Sequence, residues 1–141
     1  MEKQENLIQS WLGLTRFHSQ FSRKLEQSLQ EKHGLALNEF YVLLFIMDTE
    51  SKYLKLQELQ NLIGLSQSAM SRLASRMESK SCGVIKRQGL GEDSRDVYAS
   101  LTGKGEEFFK EVYPTFQETV KDFFTESRID PEQFLKIKNR R

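Results

Sequence analysis

The sequence has only one cysteine, two histidines and two prolines, and it has no long apolar run. A single cysteine, Cys82, excludes an internal disulfide framework, and with only His18 and His33 beside it the chain has too few ligands for a structural zinc site. No apolar run approaches the roughly 18 residues that a membrane span requires. The first residues, MEKQENLIQSWLG, lack a basic start followed by an apolar core, so we expect no secretory signal and a cytoplasmic protein.

Catalytic motifs are missing as well. The sequence contains no phosphate-binding glycine loop, no metal-ligand spacing and no nucleophile elbow. Two scattered histidines do not form a catalytic constellation. We therefore predict that the protein is not an enzyme and that it uses no cofactor and no metal.

The residues that are present indicate one globular domain with an uneven charge distribution. The 141 residues, of which 38% are hydrophobic and 29% are charged, fit a single compact domain. The net charge is only +1, but residues 67–104 carry seven bases against four acids, whereas residues 1–50 carry five bases against seven acids. A basic middle between acidic or neutral ends indicates a polyanionic partner on one face.

Long amphipathic helices are predicted at both ends of the chain. Apolar residues recur every three or four positions from Leu7 to Leu29, which indicates one long helix that ends at Gly34. Thr102 is placed to cap a second long helix, which Pro114 must kink or restart. These helices carry more apolar surface than a lobe of about 80 residues can cover, so we expect a second copy of the chain to cover it. The aromatic residues concerned are Trp11, Phe17, Phe21, Phe108, Phe109, Phe116, Phe123 and Phe124.

Two shorter helices are predicted from their starting residues. The segment LNEFYVLLFIM is apolar enough to be a buried helix, and Asn38 is its predicted N-cap. A last short helix is predicted at Asp130, because the sequence Asp-Pro-Glu-Gln supplies a cap, a proline at the first helical position and a capping-box partner.

A helix-turn-helix is predicted over residues 56–75, LQELQNLIGLSQSAMSRLAS. Gly64 relieves the backbone at the corner, and Ser66 can cap the second helix. The inward stripe of that helix is Met70, Leu73 and Met77, and its opposite face is Ser68, Ser71, Arg72, Ser75 and Ser79. Small hydroxyls around an arginine suit the major groove, because they allow close approach while the arginine reaches guanine edges or phosphate. The alternative is a helical hairpin with a solvated serine face.

A β-hairpin with a charged tip is predicted next. The segments GVIKR and DVYASL are rich in β-forming residues and flank a charged loop that contains glycine. A helix-turn-helix followed by a hairpin and a long helix is the order of a winged helix, whose hairpin, or wing, lies over the phosphate backbone of DNA. Arg95, near the tip, is well placed to enter a minor groove, where the negative potential favours a planar cation.

The chain resembles the MarR family of bacterial transcriptional regulators over most of its length. The resemblance rests on LQELQNLIGLSQSAMSRL, on the passage from RMESK to GVIKR, and on the wing EDSRDVYASLTGKG, whose D-x-R and LT-x-KG are its most specific parts. It implies a mainly α protein with a small β-hairpin (α+β), a winged helix-turn-helix with long N- and C-terminal dimerisation helices. It also implies one domain over residues 1–141, with dimerisation regions at 1–34 and 106–141 and a DNA-binding lobe at 35–105.

The resemblance further implies a homodimer that binds a pseudo-palindromic DNA operator and usually represses transcription. Asp93 and Arg95 match the family's wing pair, in which the acid steadies the arginine at the minor groove. A small aromatic ligand is implied between the dimer arms and the DNA-binding lobe, near His18 and Trp11, although ordinary interface or core roles suit these two residues better. The residues predicted to bind DNA are Ser66, Gln67, Ser68, Ser71, Arg72, Ser75, Arg76, Asp93 and Arg95.

Three features depart from the family pattern. Gln60 stands where the family usually has alanine, Ser81 and Cys82 resemble an insertion before the first wing strand, and Asp96 adds an acid beside Arg95. We expect Cys82 to pack at the turn from helix to strand and not to sense oxidants.

One alternative function stays open. A winged helix can also act as an adaptor that binds another protein without specific DNA binding. The two functions differ in what they need from Arg72 and Arg95, because a DNA-binding protein needs both on one face and an adaptor does not.

Overall fold

The computed structural model describes residues 2–79, 81–89 and 96–137, which form six helices and three strands. The fold is mainly helical with one small antiparallel sheet, which confirms the predicted fold class. Among the described residues, no helix combines the length and the apolar character needed to cross a membrane. The elements in chain order are α1 (Glu2–His33), α2 (Leu37–Asp48), β1 (Leu54–Lys55), α3 (Leu56–Ile63), α4 (Gln67–Glu78), β2 (Ile85–Gly89), β3 (Val97–Leu101), α5 (Gly103–Ser127) and α6 (Glu132–Leu135).

The buried helix α2 is the hub of the core, but it does not begin as predicted. Its N-cap is Ala36, whose N–H donates to Glu39 Oε1 at 2.9 Å, and not Asn38, which is exposed. The next N–H, that of Leu37, donates to Glu26 Oε2 on α1. These two carboxylates satisfy the first N–H groups of the helix, so no asparagine cap is needed. The fully buried residues of α2 are Phe40, Val42, Leu43 and Ile46.

The long helices α1 and α5 pack against each other and form the arm of the molecule. Lys24 Nζ lies 3.2 Å from Glu126 Oε2, and the hydroxyls of Ser28 and Thr119 are 2.9 Å apart. The predicted cap of α5 is confirmed, because Thr102 Oγ1 accepts a hydrogen bond from the third N–H of the helix at 3.0 Å. α5 continues past Pro114, so the proline does not restart the helix.

The short helix α6 closes an aromatic cluster at the end of the arm. The ring centroids of Phe21 and Phe123 are 4.2 Å apart, and those of Phe17 and Phe123 are 5.3 Å apart. Phe134 of α6 stacks on Phe17 at 5.8 Å with an angle of 7° between the rings. Asp130 Oδ1 accepts the N–H of Glu132 at 3.0 Å, but α6 begins at Glu132 with Pro131 as its N-cap. The predicted cap at Asp130 and the predicted proline at the first helical position are therefore each one residue too early.

This cluster corrects the prediction about exposed aromatic residues. Of the eight aromatic side chains expected to need a partner, Phe109 and Phe123 are buried and five others are half-buried within the single chain. Only Trp11 is exposed, since α5 and α6 bring the other rings against one another or against the core. The large apolar residues left exposed on α1 are Leu7, Ile8, Trp11, Leu12 and Leu14.

The sheet has the strand order β1-β3-β2, with both neighbouring pairs antiparallel. The predicted hairpin is confirmed, and its register pairs Ile85 with Leu101 and Gly89 with Val97. The third strand was not predicted, because β1 has only two residues and a segment of that length carries no detectable alternation. β1 leads directly into α3 and so connects the wing to the helix-turn-helix.

Candidate nucleic-acid interface

The turn between α3 and α4 has the geometry that the sequence predicts. Gly64 has φ +85°, in the left-handed region that favours glycine, and its N–H donates to the Gln60 carbonyl at 2.9 Å. Ser66 caps α4, because its Oγ accepts the N–H of Ala69 at 3.2 Å. α4 therefore begins at a defined residue, with its first turn at the molecular surface.

α4 has one buried face and one exposed face. The buried face is Met70, Leu73, Ala74 and Met77, each no more than 2% exposed, which includes the whole inward stripe predicted from the sequence. We call the exposed face, together with its cap, the recognition face; it consists of Ser66, Gln67, Ser68, Ser71, Arg72, Ser75 and Arg76. These are the seven residues of α4 and its cap that were predicted to bind DNA. Their exposure makes such contact sterically feasible, and the contact itself remains a prediction.

The other two predicted DNA-binding residues, Asp93 and Arg95, lie outside the described residues. The strands that lead into and out of the wing loop are described, and they end at Gly89 and begin again at Val97. Asp96, immediately before the returning strand, has its carboxylate 3.8 Å from Lys55 Nζ.

Arg87 of β2 is joined to α4 by four hydrogen bonds that no pattern in the sequence predicts. Its backbone N–H donates to Glu78 Oε2 at 2.9 Å, and its Nε and Nη2 donate to the two Glu78 oxygens at 3.2 Å each. Nη2 also donates to Ser75 Oγ at 3.3 Å. This bidentate geometry fixes the orientation of both side chains. The first strand of the wing and the last turn of α4 are thus held together.

The same pair has an electrostatic consequence. The side-chain hydrogen bond from Arg87 lowers the pKa of Glu78 against the opposing effect of partial burial. Since the folded-state pKa is depressed, the stabilisation by this pair is present above the unfolded-state pKa of Glu78 and is lost as the pH falls through the folded-state value. The pair is therefore intact at neutral pH.

Two grooves run along the flanks of α4. The α1–α4 groove has a volume of about 480 Å³ and is lined by Ser22, Arg23, Glu26, Ala36, Leu37, Asn38, Leu65, Ala69, Arg72, Leu73 and Arg76. The wing groove has a volume of about 590 Å³ and is lined by Lys55, Leu56, Gln57, Gln60, Gln67, Met70, Ser71, Arg87, Asp96 and Val97. The recognition face lies between a flank with three arginines and a flank rich in glutamine.

The remaining candidate residues lie away from this interface. Trp11 and His18 are exposed on α1, and neither lines the arm cavity of about 700 Å³, whose lining comes from α5 and the segment that follows it up to Pro131. The small aromatic ligand remains a prediction. Cys82 is half-buried and packs against the core at the turn from α4 to β2, in agreement with a packing role. Within the described part of the chain, no group of three or more His, Cys, Asp and Glu residues could hold a metal ion.

The helix-turn-helix, the hairpin joined to it and the two long flanking helices together define a winged helix-turn-helix protein. The model of the family "Transcriptional regulator SarA/Rot" matches residues 24–112. The transcriptional repressor MprA of Escherichia coli strain K12 is 32% identical over 95 residues, which are 66% of this chain and 53% of MprA. The chain thus spans about half the length of the curated relatives that it matches.

Solved structures have the same fold. The transcriptional regulator BldR from Sulfolobus solfataricus superposes with a TM-score of 0.82 at 19% identity, over 96% of this chain and 94% of BldR. The MarR family regulator Sco3205 from Streptomyces coelicolor, solved in complex with DNA, has a TM-score of 0.78 at 23% identity, over 93% of this chain and 79% of Sco3205. The chain belongs to the SarA/Rot family of transcriptional regulators, which is not a family of enzymes, and it has the winged-helix fold of the MarR family structures on which it superposes.

Proposed function

We propose that this regulator binds a pseudo-palindromic DNA operator as a homodimer and represses transcription from it. In this proposal α4 enters the major groove and the wing lies over the adjacent minor groove. The observation that carries the proposal is the recognition face, whose side chains are small hydroxyls, one amide and two arginines, all exposed. Small side chains let a helix approach the base edges, and arginine supplies the bidentate donors that distinguish guanine. The buried opposite face holds the helix in place for such contacts.

The pairing of Arg87 with Glu78 supports a division of roles among the arginines. The charge of Arg87 is already matched by a carboxylate at 3.2 Å, so we assign it to positioning the wing against α4. Arg72 and Arg76 have no ion-pair partner within the described ranges and are the candidates for contact with bases or phosphate. Arg95 keeps its proposed place in the minor groove.

The relatives support the proposed mode of action. MprA is named a transcriptional repressor, and Sco3205 was solved with DNA. A two-fold symmetric dimer presents two copies of α4 that are related by rotation, and such a dimer binds two inverted half-sites about one helical turn apart. A repressor of this kind acts by occupying the operator.

The test is selection of bound fragments from a random DNA pool, followed by sequencing and by a gel shift on the enriched site. We expect an enriched inverted repeat whose affinity exceeds that for random DNA by a factor of about 10³ or more near physiological salt. Failure to enrich any sequence, with the dimer intact, would contradict the proposal and favour the protein-binding adaptor.

Arg72→Ala should weaken binding to the selected site by about 1–3 kcal/mol if the guanidinium contacts a base edge. Binding to random DNA should change little, and specificity should relax at one base position in each half-site. Arg72→Lys is the matched control, because lysine keeps the charge and loses the fork that pairs with guanine. If Arg72→Ala weakens binding to the selected site and to random DNA equally, and Arg72→Lys restores both affinities, Arg72 contacts phosphate and not a base.

Arg95→Ala should weaken binding to specific and random DNA alike, since the proposed contact is with minor-groove potential and phosphate. The slope of log K against log salt should become shallower by about one unit per subunit in a titration from about 50 to 300 mM salt. Asp93→Ala should give a smaller loss of the same kind if the acid steadies the arginine. An unchanged slope together with unchanged affinity would show that the wing tip is only a loop.

A further inference from the structure

An arginine on the dimerisation arm lies beside the recognition face. Arg23 of α1 lines the α1–α4 groove together with Arg72 and Arg76 of α4. The two α4 residues are four positions apart and therefore project from the same flank of the helix. All three arginines are exposed. Arg23 belongs to the arm, outside the lobe at residues 35–105 that the sequence analysis assigned to DNA.

The positive charge of this groove is largely uncompensated. Among the described residues, Glu26 is the one acid that lines it, and its carboxylate accepts the N–H of Leu37 at the start of α2. The ion pairs found among residues 2–79, 81–89 and 96–137 involve Lys24, Lys55 and Arg87, and none involves the three arginines of the groove. Three guanidinium groups beside one engaged carboxylate favour an anion in the space between them.

We propose that the α1–α4 groove binds a backbone phosphate of the operator, with Arg23 as a DNA contact supplied by the dimerisation arm. This inference rests on the proposed function. A helix in the major groove, which is about 12 Å wide, is bordered by a phosphate backbone on each flank. The wing lies towards one flank of α4, and the α1–α4 groove lies along the other. In this proposal Arg23 and Arg76 bind the second backbone, while Arg72, which also lines the groove, keeps its assignment to the bases.

The experiment compares Arg23→Gln with Arg16→Gln in the full chain. Arg16 is an exposed arginine on the same helix that does not line the groove, so its substitution removes the same charge without removing the proposed contact. For Arg23→Gln we expect the salt slope of log K to become shallower by about 0.9 for each phosphate that is no longer neutralised, or by about two units per dimer. Near 0.1 M salt, the absence of each such ionic interaction should weaken binding on the order of tenfold, on specific and random DNA alike. Arg23→Lys should restore the slope, and Arg16→Gln should leave it unchanged.

The outcomes separate this inference from the proposed function. If the wild-type protein binds no DNA, the proposed function fails, and the phosphate contact fails with it. If the wild-type protein binds DNA and the Arg23→Gln slope equals that of Arg16→Gln, only the phosphate contact is wrong.

A second experiment titrates the DNA-free protein with inorganic phosphate in a calorimeter. Binding of phosphate that depends on Arg23, combined with an unchanged DNA slope, would overturn the DNA contact in favour of a site for a free anion. Light scattering and melting temperature for each variant verify that the dimer and the fold are intact.

Discussion

Replacing Gly105 by alanine should lower the free energy of unfolding by about 3 kcal/mol or more. Gly105 lies in the first turn of α5 and is buried against the start of β2. A Cβ at this position would lie 2.0 Å from the carbonyl oxygen of Val84 and 2.9 Å from its carbonyl carbon. Because the opposing atoms belong to the backbone, no side-chain rotation can relieve the overlap, and α5 must move away from the strand.

That movement would break the hydrogen bonds that hold α5 to the strand. The N–H of Thr102 donates to the Val84 carbonyl at 3.1 Å, and the Thr102 hydroxyl donates to the Gly83 carbonyl at 2.6 Å. The same hydroxyl caps α5 by accepting the Gly105 N–H. The glycine is therefore required where the arm joins the wing, which gives a structural reason for the LT-x-KG sequence.

Gly103→Ala is the matched control. Gly103 is also in the first turn of α5, and a Cβ there would meet nothing within 4 Å. We expect its unfolding free energy to stay within about 0.5 kcal/mol of wild type. Urea unfolding of both variants, followed by circular dichroism at one protein concentration, measures the difference. Equal midpoints for the two variants would mean that α5 and β2 are not in close contact at this position.

The features predicted correctly from the sequence are those determined by neighbouring residues. Helical periodicity located α1, α4 and α5, and the hydroxyls of Ser66 and Thr102 cap the helices that follow them, as predicted. The recognition face was predicted for the same reason, since a period of 3.6 residues separates the face of Arg72 from that of Met70 without any knowledge of the fold. Gly64 followed from the need for a left-handed residue at a tight turn.

The features that were missed depend on contacts between distant segments. The start of α2 was misplaced because Glu26, eleven positions before Leu37, supplies a hydrogen bond that no local pattern indicates. The wing position depends on Arg87 and Glu78, which come together only when the hairpin folds back on α4. The aromatic residues were overcounted as interface because Phe134 was not expected to stack on Phe17. In each case the sequence contains the residues but not the tertiary pairing.

The open apolar face of α1 leads to the other prediction of a large effect. Leu7, Trp11 and Leu14 are 69%, 61% and 47% exposed, and their spacing places them on one face of the helix. Residues 3–14 are all exposed in the single chain, so this part of α1 gains little from packing within it. The later part of α1 packs on α5, whereas the apolar side chains of this first part are left in water without tertiary contacts in the single chain. A second copy of the arm supplies such contacts in the proposed homodimer.

The double substitution Leu7→Glu and Trp11→Glu should therefore convert the protein to a monomer with the chain mass of 16.5 kDa. Light scattering at micromolar concentration measures this, with twice that mass expected for wild type. Leu62→Glu is the control, because Leu62 is an equally apolar residue, 47% exposed, on α3 and away from the arm.

The double variant should also bind the operator more weakly. A monomer binds one half-site at a time, so affinity for the selected operator should fall by about 10²–10⁴-fold, the usual gain from linking two binding modules. A wild-type monomer would contradict both the dimer and the two-fold operator. A variant that stays dimeric would move the proposed interface from the start of α1 to the exposed residues Leu135 and Ile137. A monomeric variant that keeps full operator affinity would instead show that one recognition face is enough.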